Sequence, residues 1–239
     1  MILLALDTCD ALGSLAILKD DDVLYAAAHD IPLDYSSWLL PAADVALAAA
    51  GLKMPQIEVF AVAAGPGSFT GIRVGLTTVK AWAEVYGARI AAVSRLEAIA
   101  QHAAGQSEFV AAFVDAQRSQ VFGAEFRRDR EDHLRLVGEE LVIAPEGFLA
   151  HVEEQTGSAA VSWVSMDPEK MTVLPSWRRR AQKGEAVQLC EQVLAPTVGR
   201  IGRRRILRGD VKDPLTLDAE YVRRSDAEIF WKGGAKRGA

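Results

Sequence analysis

At 239 residues, with 50% hydrophobic and 25% charged side chains, the chain is long enough for one sizeable core or two smaller lobes. Its apolar runs stop short of the roughly 18 residues a membrane helix requires, and two cysteines, Cys9 and Cys190, offer no disulfide framework and suit a reducing cytoplasm. The net charge of −5 is uneven: residues 178–239 carry 15 Lys/Arg against 8 Asp/Glu, whereas residues 1–177 carry 12 against 24.

The N-terminal run MILLALDTCDALG has no basic stretch before it and meets Asp7 and Asp10 at once, so it reads as a first strand and not as a signal peptide. Apolar runs at 2–7, 13–19 and 23–29, separated by turn-forming residues, predict an antiparallel meander. A helix is expected over 36–51, stopped by Gly51, then a buried strand at 57–64. The glycine-rich stretch AAGPGSFTGIR leads into a second helix over 71–87, followed by a strand at 89–94 and a third helix at 95–105. The theme restarts at 109, with strands at 109–116, 120–126 and 134–143, a helix at 145–155, a strand at 162–166 and a helix at 184–199.

The first two helices are apolar around most of their circumference, which requires cover on most sides. In the second, Ile72, Leu76, Val79, Ala83 and Tyr86 form one stripe and Val74, Trp82 and Val85 another; Gly75 is small enough for a close approach. One stripe suits the sheet, and the other meets either a neighbouring helix or a second protein chain.

The loop Gly65, Pro66, Gly67, Ser68, Phe69, Thr70, Gly71 fails two phosphate-binding tests. A Walker A loop places lysine and a hydroxyl after its last glycine, but Ile72 follows Gly71; a dinucleotide fingerprint places glycines at offsets 0, 2 and 5, but here they stand at 0, 2 and 6. Pro66 also removes a backbone donor. The loop reads instead as a sharp strand exit with Ser68 or Thr70 capping the helix. Arg73 in the first turn opposes the helix dipole and so calls for a carboxylate partner, Asp7 or one on another chain. Asp7, Thr8, Gly13 and Ser14 resemble the first phosphate loop of the actin-like and sugar-kinase superfamily, although Asp10 places a negative charge where phosphate would sit. The four histidines are too scattered to pair on a metal and read as surface or capping residues, and the arginine clusters at 177–180 and 200–208 read as a solvated surface or as a weak contact to RNA phosphates.

GPGSFTGIRVGLTTVKAWA (65–83) closely resembles the signature of the TsaB family, formerly YeaZ, and residues 4–18, 36–52, 113–126 and 219–228 resemble further parts of it. The resemblance implies an α/β, two-lobed actin-like ATPase (ASKHA) type fold, each lobe a mixed sheet with flanking helices. It places a first lobe at 1–106, completed by 214–231, a second lobe at 107–213 and a flexible basic tail at 232–239. It implies a non-catalytic, cytoplasmic subunit of tRNA threonylcarbamoyladenosine synthesis that binds a TsaD homologue and with it TsaE. It also implies a self-dimer when alone, contact with tRNA only through the complex, and ATP/ADP and metal belonging to the partner subunits. The interface expected from it comprises Trp38, Leu39, Ala42, Val45, Ala46, Ile72, Arg73, Val74, Gly75, Thr78, Val79 and Trp82. Tyr35 stands where family members often have histidine. Three rivals remain open at the level of the residues: an active ATP-dependent transferase or kinase using Asp7, a glycoprotease-like protein, and an RNA-binding module.

Overall fold

The computed structural model describes residues 1–29, 34–105, 107–214 and 216–217; the 218–231 part of the expected lobe completion and the 232–239 tail lie outside the described residues. The first half comprises β1 (Ile2–Asp7), β2 (Ser14–Lys19), β3 (Asp22–Ala28), α1 (Tyr35–Ala49), β4 (Val59–Ala63), α2 (Phe69–Tyr86), β5 (Arg89–Val93) and α3 (Arg95–Ala100). The second comprises β6 (Phe109–Asp115), β7 (Val121–Arg128), β8 (Leu134–Ile143), α4 (Pro145–Thr156), β9 (Val161–Ser165), α5 (Glu169–Thr172), α6 (Arg178–Gln182), β10 (Val187–Leu189) and α7 (Ala195–Leu207).

The two five-stranded sheets have the same order. The first runs β3-β2-β1-β4-β5 and the second β8-β7-β6-β9-β10, each an antiparallel meander extended by two parallel strands. The restart expected at residue 109 is therefore a repeat of topology. β1, β4 and β5 read as continuous apolar runs because helices cover both faces of the first sheet, and nearly every residue of these strands is buried.

The helix expected at 184–199 is not formed. Val187–Leu189 adds instead as an edge strand beside β9, and the helix begins only at Ala195 and runs to Leu207. Pro196 near its start is compatible with a first helical turn but not with the interior of the predicted helix. α7 lies on β1, β2, β4 and β5, so this part of the expected second lobe packs on the first sheet. Gly199 and Gly202 permit the close approach: a Cβ at Gly199 would strike Leu18, and one at Gly202 would strike Ala61. Val198, Ile201 and Ile206 are buried beneath it, each stabilising the packing by about 1.5–3 kcal/mol. The cluster at 200–208 is thus one polar face of an amphipathic helix, not a uniformly solvated run.

One core residue breaks the apolar rule. Glu125 of β7 is 1% exposed, and neither carboxylate oxygen has a hydrogen-bond partner among the described residues. Burial raises its pKa, so it contributes stability that is fully present below about 4.5 and lost as the pH rises through the raised value. Glu125→Met, which keeps the length of the side chain without its charge, is expected to raise the Tm at pH 7, with the gain shrinking as the pH is lowered through the raised value and reaching its minimum by about 4.5; thermal unfolding across this range measures it.

Candidate functional site

The carboxyl end of β1 turns through Thr8, Cys9 and Asp10 and meets the glycine-rich loop. A Cβ at Gly67 would collide with the Cys9 carbonyl, at Gly71 with the Thr8 carbonyl and at Gly75 with the Thr8 hydroxyl. The loop and the first two turns of α2 are therefore pressed backbone to backbone against residues 8–9. Ser68 N–H donates to the Cys9 carbonyl at 2.7 Å, and the Thr8 hydroxyl donates to the Gly71 carbonyl at 2.7 Å. The Ser68 hydroxyl accepts from Gly71 N–H at 3.4 Å, as its capping role predicts, whereas Phe69 and Thr70 already lie within the helix. The Gly65–Pro66 bond is cis.

Beneath this joint lies a buried ion pair. Asp7 accepts from Cys9 N–H at 2.9 Å through one carboxylate oxygen, and its other oxygen lies 3.4 Å from Arg95 Nε. Arg95 opens α3 directly after its N-cap Ser94, and its own N–H donates to the Gly65 carbonyl at 2.6 Å. Its Nη2 reaches Asp10 Oδ2 at 3.2 Å and Met166 Sδ, beyond β9 in the second sheet, at 3.2 Å. Burial opposes the charge on Arg95, but Asp7, Cys9 and Asp10 outweigh it and hold its pKa above the ordinary value. Burial, and then Asp7, push the Cys9 thiol and the Tyr35 hydroxyl well above theirs.

The residues of the same turn do not fit phosphate binding. The Thr8 hydroxyl is directed at Gly71, and the Ser14 hydroxyl accepts from Ala195 N–H at 2.9 Å, at the start of α7. Gly13 is closed off by Tyr35, whose hydroxyl donates to the Asp10 carbonyl. From the second sheet, Asp167 accepts from Asp115 N–H at 2.9 Å, and Lys170 pairs with Asp115 at 2.8 Å. Burial raises the Asp167 pKa, opposed by that backbone donor and reinforced by the charges of Asp10, Glu169 and Asp115. A polyphosphate here would meet carboxylates from both sheets.

Two expectations are corrected. Asp7 pairs with Arg95 and not with Arg73; Arg73 is exposed and stacks over Phe69 at 5.9 Å. His29 is neither surface nor cap: it is buried, with its ring centroid 4.5 Å from that of Tyr35 and 5.0 Å from that of Trp38, and its Nδ1 lies 3.1 Å from the Ala11 carbonyl. Arg95 was missed by sequence reasoning, although an arginine in the first turn of a helix carried the same dipole conflict noted for Arg73.

The expected interface set divides. Trp38, Leu39, Ala46, Ile72, Gly75 and Val79 are buried in the core, so they do not form an outer surface. Ala42, Val74, Thr78 and Trp82 are half-buried, Trp82 with its ring centroid 5.5 Å from that of Phe60. Val45 and Arg73 are exposed. The outer face also holds Leu40 at 55%, Val45 at 57% and Val85 at 72% exposure, and a groove of about 370 Å³ opens between the helices, lined by Leu39, Leu40, Arg73, Val74 and Thr77 among others. Leu40 was overlooked because the helix looked apolar all round, and only the sheet decides which side is covered.

Two sheets of one topology, bridged at their carboxyl edges where Arg95 reaches Met166, make a two-lobed α/β fold of the actin-like ATPase type; a ROK hexokinase from Thermus thermophilus shares this fold at a TM-score of 0.51 and 14% identity, covering 86% of this chain and 100% of that one. A family model described as TsaD: tRNA N6-adenosine threonylcarbamoyltransferase matches residues 32–169. The chain is 31% identical over 122 residues to the tRNA threonylcarbamoyladenosine biosynthesis protein TsaB of Bacillus subtilis, covering 51% of this chain and 53% of that protein. It is 30% identical over 169 residues to TsaB of Escherichia coli, covering 70% and 71%. A solved structure from Pseudomonas aeruginosa, described as an uncharacterized protein with similarity to peptidase YEAZ, superposes with a TM-score of 0.74 at 26% identity, covering 93% of this chain and 99% of that one. The chain belongs to the TsaB (YeaZ) family. It spans about half the length of the first curated relatives it matches, 56% and 53%.

Removing one member of the buried pair leaves an uncompensated charge, at a cost of about 3–5 kcal/mol. Arg95→Met is expected to lose that much stability in denaturant unfolding, and Asp7→Asn combined with Arg95→Met to recover a large part of it. Additive losses in the double variant would contradict the pairing.

Proposed function

We propose that the chain is a non-catalytic scaffold subunit in tRNA threonylcarbamoyladenosine biosynthesis that activates a TsaD homologue by docking it on the outer face of α1 and α2. The observation that carries this reading is the apolar outer face of the two helices, with Leu40 lining the groove between them and Val45 and Val85 exposed further along, while the inner stripes are buried in the sheet. Residues of this kind, half sunk at a helix seam, suit a partner's apolar anchors better than water. The internal engagement of Asp7, Thr8 and Ser14 supports the non-catalytic part, since the groups that would hold phosphate are already committed to the fold.

In this reading the nucleotide and metal belong to the partner subunits, the TsaE homologue joins through the assembly, and the isolated chain pairs with a second copy through the same face. Its place is the cytoplasm, where tRNA is modified. Among the described residues, no helix is long and apolar enough to cross a membrane.

Leu40→Asp and Val45→Asp, both at exposed positions, are expected to abolish capture of the TsaD homologue from its own host while leaving the Tm within a few degrees of the parent. Val173→Asp, exposed at a site remote from both helices in the chain, serves as the control and is expected to retain capture. Unimpaired capture by both helix variants would overturn the assignment of this face. Val79→Asp is unsuitable, because Val79 is buried and its replacement unfolds the lobe.

A further inference from the structure

Two grooves of about 910 Å³ each meet along the edge strand β8. The first lies between β8 and the polar face of α7 and is lined by Arg135, Arg204, Arg205 and Arg208; the second carries Arg127, Arg130 and Arg135. They share Arg135 and Leu136, so the arginines form one track over the edge of the sheet, within which Arg135 pairs with Asp129 at 3.2 Å and Arg127 with Glu108.

The carboxylates of the first groove are already engaged. Glu97 holds Arg205, whose guanidinium also donates to the Ala92 carbonyl; Glu140 accepts from the Ser94 hydroxyl, and Asp210 pairs with Lys212 at 2.9 Å. The guanidinium groups of Arg204 and Arg208 make no ion pair among the described residues, although they stand one helical turn apart and repel each other. Burial, and then the charges of Arg208 and Arg205 acting against Glu97, depress the pKa of Arg204. Two half-satisfied cations held side by side by a helix whose other face is fixed on the first sheet call for an anion between them.

We infer that this track binds the phosphodiester backbone of an RNA strand, with Arg204 and Arg208 as its central contact and Arg135 and Arg130 as its continuation. The anion follows from the unpaired guanidinium groups alone; the choice of RNA rests on the tRNA-modification reading and on the length of the track, which exceeds what a single phosphate occupies. The docking face on α1 and α2 includes none of these residues.

The test is fluorescence anisotropy of the full chain with a labelled, unmodified tRNA transcript. The groove pairs are Arg204→Gln with Arg208→Gln and Arg204→Glu with Arg208→Glu, and the control is Arg178→Glu with Arg179→Glu, two exposed arginines outside the track. Affinity is expected to fall at least tenfold in the glutamine pair, further in the glutamate pair and less than twofold in the control. The slope of log affinity against log salt is expected to lessen by about 1 to 2 in the groove pairs. Inorganic pyrophosphate and ATP, at phosphate concentrations equal to that of the tRNA, are expected not to displace it.

No tRNA binding, or equal losses in the groove and control pairs, would overturn the inference. Displacement by pyrophosphate or ATP would overturn RNA as the source of the phosphate. Capture of the TsaD homologue, measured on the same groove variants, is expected to persist. Its failure in the parent chain alongside intact tRNA binding would sink the docking reading and leave the track standing.

Discussion

The ion pair between Asp7 and Arg95 is the constraint around which the rest of the molecule is arranged. It lies where the first sheet ends, it is sealed from water, and the same guanidinium reaches Asp10 and Met166. A charge pair in such a place survives only when its remaining hydrogen-bonding capacity is met. Cys9 N–H meets it for Asp7, and the Arg95 backbone is held in turn by Gly65. The turn after β1, the glycine-rich loop and the start of α3 are thereby locked into one joint that touches both sheets.

From this joint the outer surface follows. Glycines at 67, 71 and 75 let α2 sit against the turn with no side chain between, which fixes the helix and turns Ile72, Leu76, Val79 and Ala83 into the core. Tyr35, hydrogen-bonded to the Asp10 carbonyl and stacked on His29, anchors the start of α1 to the same turn. Both helices then leave part of their second apolar stripes exposed, because among the described residues no further sheet covers them.

Much of the fold was legible. Period-two and continuous apolar runs located the first nine strands closely, and glycines marked the ends of α1 and α2. What failed was long-range. Residues 184–199 read as helix because local propensity could not register that Val187–Leu189 completes a sheet edge, while α7 depends on contacts with strands far away in sequence. Of the site, the loop and its cap were readable. Arg95 was not, since its partner lies 88 residues away, and neither was the sorting of the interface set, because which stripe is buried depends on the sheet beneath it. Glu125 carried no signal at all: an isolated carboxylate in an alternating strand looks solvent-facing.

The side chains of Asp7, Thr8 and Ser14 at the turn after β1 are all engaged within the fold, which leaves none of them for a nucleotide phosphate. Isothermal titration of the purified full chain with ATP and magnesium tests it most directly. No saturable heat is expected at micromolar to low-millimolar nucleotide; binding with micromolar affinity, lost on Asp7→Asn, would contradict this commitment.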